Sequence, residues 1–403
     1  MKRILFIGAA PHQVPAIRHA CQAGYEVYTT DNIPENPGHR LAGKSFAVSA
    51  ADPAAVKDLA LSLHVDGVVG YASEICAITA ARVAEELGLP GPSYAAVQGL
   101  TRKDLFRAFL HREGLQQTTF ECFGAGEFGK VKTWVESLER KVVIKPVDST
   151  GSKGVTVAPA RDELENAYDY ALASSPRQQV LVEEFVARYG SQVAGDGWME
   201  GGRLKFFCSA DNQTITGSSH PAIIQETFPG SHPPELLLKL HNKLESILQA
   251  AGYHHGPFNM DAIFTECGEP FVFEIAPRNG GNCIPHAILH HTGVDLVAAA
   301  VELAVHRNFV LPMTPESGAG KGFHACYMIH SREAGILREL SMSPEVSPFI
   351  LEINPYLRPG DSVRPFLKAG DAVANVVLGF DSRSRMDAMM SRMPELCKAE
   401  LTP

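Results

Sequence analysis

The chain contains no run of eighteen apolar residues, which removes a membrane-spanning helix. Its eight cysteines, Cys21, Cys76, Cys122, Cys208, Cys267, Cys283, Cys326 and Cys397, include no Cys-x2-Cys pair. That spacing argues against a zinc ribbon or a redox dithiol and fits a reducing, cytoplasmic setting. Lysine and arginine number 36 against 45 acidic residues, for a net charge of −9. Without clustered basic residues a nucleic-acid footprint is not expected. The start, Met1-Lys2-Arg3 before Ile4 to Ile7, has the outline of a signal peptide, but Pro11 and His12 arrive too soon. A first β-strand is the expectation there. Two nucleotide fingerprints are also missing. Gly8-Ala9-Ala10-Pro11-His12 offers one glycine where a dinucleotide turn needs three, so NAD is set aside, and no Walker A order occurs.

What remains is a soluble globular composition, 45% hydrophobic and 20% charged, spread over 403 residues. That length calls for two to four domains or subdomains. Strands at Lys2–Gly8, Glu26–Thr30, Phe46–Ser49 and Gly67–Gly70 alternate with helices at Val14–Ala23, Pro53–Leu63 and Glu74–Leu87. This is the doubly wound α/β pattern. Thr101–Glu113 reads as a helix with Thr101 as N-cap. Strands are expected at Glu139–Ile144, Val155–Ala158, Val180–Val186, Leu204–Asp211, Phe258–Thr265 and Pro270–Ile275. Helices are expected at Asp162–Ser174, Pro234–Ala251 and from Gly293 to about His306, with a loop over Asn212–Pro234. The remainder reads as short strands and turns with a terminal helix.

The stretch Val142-Val143-Ile144-Lys145-Pro146-Val147-Asp148-Ser149-Thr150-Gly151-Ser152-Lys153-Gly154-Val155 carries the strongest chemical signal. A β-branched strand delivers one lysine, then enters a small-residue turn in which backbone N–H groups can approach anionic oxygens. Taken alone, a phosphate loop and a hairpin turn with solvated lysines fit equally well. Asp261 and Glu274 tip the balance, because both interrupt apolar β-runs, Phe-Asn-Met-Asp-Ala-Ile-Phe and Phe-Val-Phe-Glu-Ile-Ala. A buried carboxylate needs a cation or donors. Two of them on neighbouring strands make a hard-oxygen site suited to Mg²⁺ on nucleotide phosphates. Arg278, just beyond, is a rigid fork for a phosphoryl or carboxylate group.

Val-Ile-Lys-Pro…Ser-Thr-Gly-Ser-Lys-Gly-Val, Val-Glu-Glu-Phe-Val (Val182–Val186) and Phe-Glu-Ile-Ala-Pro-Arg-x-Gly-Gly (Phe273–Gly281), in that order, resemble the ATP-grasp superfamily. The similarity is to its carboxylate–amine/thiol ligases, with motif similarity to purine-pathway and L-amino-acid ligase members. It implies an α/β ATP-grasp fold: an N-terminal doubly wound domain over 1–100, an ATP-grasp domain over 101–306 with a lid at about 118–186, and a small β-rich region over 307–403. By the same resemblance Lys103 and Lys145 would contact the α- and β-phosphates, and the loop Ser149, Thr150, Gly151, Ser152, Lys153 and Gly154 would fold over the γ-phosphate. Glu183 would meet the adenine amino group, with Glu184, Phe185 and Val186 along the adenine edge and Gln192 near the ribose. Asp261, Glu274 and Asn279 would hold Mg²⁺, with Mn²⁺ as a substitute. Arg278 and the Gly280-Gly281 backbone would face the acyl phosphate.

This chain departs from the family pattern at three places. Ala276 stands where many members carry a further metal-binding Asn, Gln192 replaces a Glu, and Asn279-Gly280-Gly281-Asn282 follows the Pro-Arg step where the carboxylating members continue differently. The implied reaction is ADP-forming activation of a small-molecule carboxylate for attack by an amine, an amino acid among the candidates, in an enzyme expected to be a homodimer. A bicarbonate-using carboxylating enzyme and a non-catalytic ATP-binding protein are the alternatives. Ser218-Ser219-His220-Pro221 and His254, His255, His286, His290 and His291 are candidates for lining the substrate end.

Overall fold

The computed structural model describes residues 1–149, 151–157, 160–215, 222–314 and 320–402. Thr150, Ala158 and the Ser218-Ser219-His220-Pro221 segment lie outside them. The chain opens with a four-stranded parallel sheet in the order Lys44–Phe46, Glu26–Thr30, Arg3–Ile7, Gly67–Val69. Helices Val14–Gln22, Pro53–Leu63 and Glu74–Leu87 cover it. Local chemistry sets their ends. Asp52 caps Pro53–Leu63 by accepting from the Ala55 N–H at 3.0 Å, and Gly88 closes Glu74–Leu87 in the left-handed region at φ +63°.

Two helices follow, Tyr94–Thr101 and Lys103–Arg112. Thr101 is therefore no N-cap. It ends the first helix, and its hydroxyl donates to the Val97 carbonyl at 2.7 Å. Arg102, in extended conformation, breaks the two apart so that Lys103 opens the second. A four-stranded antiparallel sheet then runs Phe120–Gly124, Gln179–Glu184, Val142–Pro146, Thr156–Val157. Helices Phe128–Leu138 and Leu164–Ala173 pack on it through Val131, Tyr168, Ala171 and neighbouring apolar residues. Glu139, expected to begin a strand, instead ends the helix before it in the left-handed region at φ +53°.

The largest element is an eight-stranded antiparallel sheet, ordered Pro270–Ala276, Gly256–Phe264, Tyr189–Glu200, Arg203–Thr214, Ile223–Phe228, Phe323–Ile329, Ala374–Phe380, Ile350–Pro355. Met260, Ile275, Val193 and Phe258 point to one face, against helix Pro234–Ala250 and the pair before residue 113. Trp198, Cys208, Ala210 and Phe228 point to the other, under helices Ile284–Thr292 and Leu296–Leu303. The loop expected over Asn212–Pro234 thus contains a central strand, whose Ile-Ile-Gln-Glu-Thr-Phe run is buried at five of six positions. Strand Tyr189–Glu200 lacked a sequence signal because glycines and polar residues fill it. Near the end, helices Arg383–Met390 and Met393–Leu396 are followed by a last strand, Cys397–Thr402, which pairs with Gly335–Met342. The chain therefore closes on a strand rather than a helix. No helix among the described residues is long and apolar enough to cross a membrane.

Candidate functional site

Asp261 and Glu274 sit directly opposite each other on strands Gly256–Phe264 and Pro270–Ala276. They are on the face that Asn259, Asp196 and Ala194 share, away from the Met260 side. Gln192 Nε2 and Asn212 Nδ2 both donate to Asp261 Oδ1, at 2.9 and 3.0 Å. Burial and the facing Glu274 charge push the Asp261 carboxyl up to about 6. Burial also opposes the Glu274 charge, but Lys103, 3.0 Å away, outweighs it and holds that carboxyl below its usual range. Two repelling carboxylates, with one lysine on Glu274, form an oxygen-rich pair that fits a divalent cation. Asn279 does not join them. The Arg278 N–H donates back to Ala276 O at 2.7 Å, a tight turn at Pro277 that takes the following residues off the strand line. The Asn279 side chain is buried and reaches the Leu296 carbonyl at 3.4 Å.

Lys103 lies in the first turn of its helix and also donates to the Ser149 carbonyl at 2.9 Å, joining the body to the loop that carries Gly151, Ser152, Lys153 and Gly154. Gly154 has φ +81°, and a Cβ there would lie 2.5 Å from the Ser174 side chain, so only glycine fits. Lys145 points from strand Val142–Pro146 at Glu183 Oε1, 2.5 Å away. Burial draws the lysine down to about 8 in spite of that partner. Glu183 is not free for a base edge, because its other oxygen accepts from Arg107 Nε at 2.6 Å. Burial raises its pKa, but the two cations outweigh that effect and hold it at about 2.

Arg107 escaped the sequence reading. The signal was there: it lies four residues after Lys103, on the same face of one helix. The neighbouring hinge residues are more open. Glu184 pairs with Arg140 at 2.7 Å and gives its N–H to Thr119 O. Phe185 is exposed, while Val186 is half-buried.

Arg278 ends the second group. Glu74, in the first turn of Glu74–Leu87, holds its Nη2, and Nη1 donates to Asn279 O at 2.8 Å. The Gly280 N–H, expected to face an acyl phosphate, donates instead to Asp196 Oδ2 at 2.8 Å. Asp196 is fully buried and also accepts from Asn259 at 2.9 Å. Burial still pushes it up to about 6. Gly281 is clear of these contacts. With His12, Arg18, Asn282, His286 and Tyr356 it lines an open cavity of about 230 Å³ between helix Val14–Gln22 and strand Ile350–Pro355. Burial and the Arg278 charge lower His12 to about 4, so it is neutral at pH 7.

Of the candidate histidines, His286 alone lines this cavity. It and His290 share Glu352, at 2.6 and 2.8 Å. His291 is buried and lowered by that burial. His255 stacks edge-on to Trp198, and the His254 carbonyl takes the Gly202 N–H.

The same arrangement of sheets recurs in solved structures. The chain superposes on an L-amino acid ligase from Bacillus licheniformis with TM-score 0.81 and 18% identity, covering 100% of this chain and 99% of that one. With a phosphoribosylglycinamide synthetase from Anaerococcus prevotii the TM-score is 0.77 at 18% identity, covering 100% of both chains. The chain has the ATP-grasp fold. No family model matches it. In sequence it is similar to the uncharacterized protein y4rH of Sinorhizobium fredii, 26% identical over 86% of this chain and 70% of that protein. It is also similar to a formate-dependent phosphoribosylglycinamide formyltransferase of Corynebacterium efficiens, 28% identical over 40% of this chain. That match spans 41% of the formyltransferase, less than half its length.

Proposed function

We propose that the chain is an ATP-dependent ligase that activates a small-molecule carboxylate as an acyl phosphate, releases ADP, and passes the acyl group to an amine. The observation that carries this reading is that Lys103, Asp261 and Glu274, from three separate elements, meet one another, with the Lys145 charge near enough to act on Glu274. Such a group performs no covalent chemistry of its own. It neutralises and aligns phosphates, as in-line phosphoryl transfer requires. The substrate carboxylate attacks the γ-phosphorus as ADP leaves; the amine then attacks the carbonyl carbon, and phosphate departs with the C–O bond.

Lys145 would release Glu183 to take a nucleotide phosphate, with Arg107 keeping Glu183 paired meanwhile. Lys103 would exchange Ser149 O and Glu274 for phosphate oxygens. Asp261 and Glu274 are the residues that would hold Mg²⁺, which supplies charge neutralisation on the phosphates. Arg278 would keep Glu74 as its counter-ion and offer its remaining N–H groups to the acyl end. The cavity beside Gly281 is the place for the acceptor. A second reading, with bicarbonate as the acid, is favoured by the likeness to the biotin carboxylase domain of the Hydrogenobacter thermophilus 2-oxoglutarate carboxylase, solved with Mg·ADP and bicarbonate, TM-score 0.78 at 16% identity.

ADP release measured with bicarbonate alone, and against a panel of acids paired with amines, separates the two readings. Glu274→Gln should abolish ADP release in whichever arm is active while the protein stays folded by circular dichroism. A fully active variant would sink the assignment.

A further inference from the structure

Two buried oxygen atoms near the carboxylate pair have no partner among the described residues, Glu226 Oε2 and Asn212 Oδ1. Their residues are 1% and 6% exposed. They are also register partners, directly opposite on strands Arg203–Thr214 and Ile223–Phe228, where facing Cβ atoms lie about 5 Å apart. Two acceptors in that position would repel, and leaving both unsatisfied carries the full desolvation penalty of each. One proton removes the conflict. The rest of each side chain is already committed. Asn212 Nδ2 donates to Asp261 Oδ1 at 3.0 Å, which fixes Asn212 Oδ1 as an acceptor turned the other way. Asn282 Nδ2 donates to Glu226 Oε1 at 3.0 Å, so Oε2 is the atom left for a hydrogen.

The geometry points to Glu226 as a neutral carboxylic acid that donates from Oε2 to Asn212 Oδ1, completing a hydrogen-bonded line from Asn282 at the cavity to Asp261 at the carboxylate pair. Glu226 is then a positioning residue. It fixes the Asn282 turn that walls the acceptor cavity and, through Asn212, the orientation of Asp261. The charged groups acting on it agree, since Asp196 and Asp261 are both acidic and no cation acts on it among the described residues; burial pushes its pKa up to about 8 against the Asn282 bond. The other titratable groups around it, Cys283, Cys326 and Tyr356, are themselves held protonated by burial.

The description of the two ends as acceptor and metal sites rests on the ligase reading above. The line itself needs no substrate, and so neither does its test. Glutamine reproduces a neutral acid here, with an N–H for Asn212 and an oxygen for Asn282. A carboxyl whose folded pKa lies above its unfolded one gives stability that is full below about pH 4.5 and lost as pH rises through the folded value.

Melting temperatures of wild type and Glu226→Gln should therefore coincide near pH 5 and separate up to about pH 8, the Gln variant being the more stable, then run parallel. Glu226→Ala should melt several degrees lower than both at pH 5. The infrared difference spectrum between pH 7 and 10 should show loss of a protonated-carboxyl band in wild type that Glu226→Gln lacks. Parallel melting throughout, a Gln variant as weak as Ala at pH 5, or identical infrared spectra would each overturn the proposal and leave the ligase reading standing. Loss of ADP release with these results intact would do the reverse.

Discussion

Asp261→Asn separates what the carboxylate pair does for function from what it does to stability. In the metal-free protein the Asp261 carboxyl is pushed from 3.8 to about 6. Two pKa units correspond to about 3 kcal/mol for a fully dry group, and partial access of water brings this to about 1–2 kcal/mol. The sign follows from linkage. With the folded pKa above the unfolded one, the wild type keeps that stability below pH 4 and loses it as pH climbs through 6. Asparagine has nothing to ionise. Its Oδ1 still accepts from Gln192 and Asn212, and its Nδ2 faces Glu274. The variant should therefore match wild type near pH 4 and exceed it by about 1–2 kcal/mol at pH 7.5 in chelator. At ~2.1 cal/mol/K per residue over a chain of 403 residues, that is roughly 1–2.5 °C in Tm. Titration with Mg·ADP should show affinity at least about ten-fold weaker, a cost of about 1.4 kcal/mol or more. A group placed for a cation should harm the empty protein and serve the loaded one. If Asp261→Asn is less stable than wild type at pH 7.5, or binds Mg·ADP equally well, this reasoning fails.

Arg107→Met strips two charge-assisted bonds from Glu183 and the guanidinium from the Phe106 and Phe271 rings, 5.7 and 5.6 Å away. It should cost about 3 kcal/mol in urea unfolding, since Lys145 alone remains to neutralise Glu183; an unchanged midpoint would refute the pairing. Gly280→Ala would place a Cβ 2.7 Å from Asp196 Oδ1 and 3.0 Å from Asn259 Nδ2. A loss of about 1–3 kcal/mol is expected, whereas Gly281→Ala, with nothing within 4 Å, should stay within about 0.5 kcal/mol by the same melt.

The Lys145 turn and the carboxylate pair stood out in the sequence because their chemistry is local. Lys145 leads a glycine-bearing turn, and Asp261 and Glu274 each interrupt an apolar strand, so the anomaly shows within seven residues. Their pairing was harder to foresee, yet two consecutive strands joined by a short turn made adjacency the natural outcome. Asp196, Asn212 and Glu226 were not legible. Each looks unremarkable in its own segment and acquires meaning from partners 49 to 84 residues away. Asn279 failed for the opposite reason. It sat at an attractive spacing, but the turn at Pro277 turned it into the core, a backbone event that side-chain spacing does not report. Likewise Tyr189–Glu200 is a central strand with little β-propensity of its own, held by neighbours on both sides.

The turn over residues 280–283 shows what the sheet is built to hold. Asn282 and Cys283 are consecutive left-handed residues, at φ +53° and +61°, a conformation that costs a non-glycine residue about 1–2 kcal/mol. Two glycines would relieve that cost. They would also give up the Asn282 side chain, which is the link to Glu226. Three buried polar residues from three different strands meet this turn: Asp196 takes the Gly280 N–H, Glu226 takes the Asn282 amide, and Asn375 donates to Asn282 O at 2.8 Å. Asp196 and Asn375 are fully buried. Burying such groups in a sheet is unfavourable unless each is bonded, and here the turn supplies one bond to each. Strain in the turn and polarity in the sheet therefore offset one another, and each is explained by the other. The consequence is directional. Any change that loosens the turn leaves buried acceptors unpaired beneath it, so deforming the cavity wall beside Gly281 carries that cost, and under the ligase reading selectivity would rest on the side chains around the cavity rather than on movement of its wall.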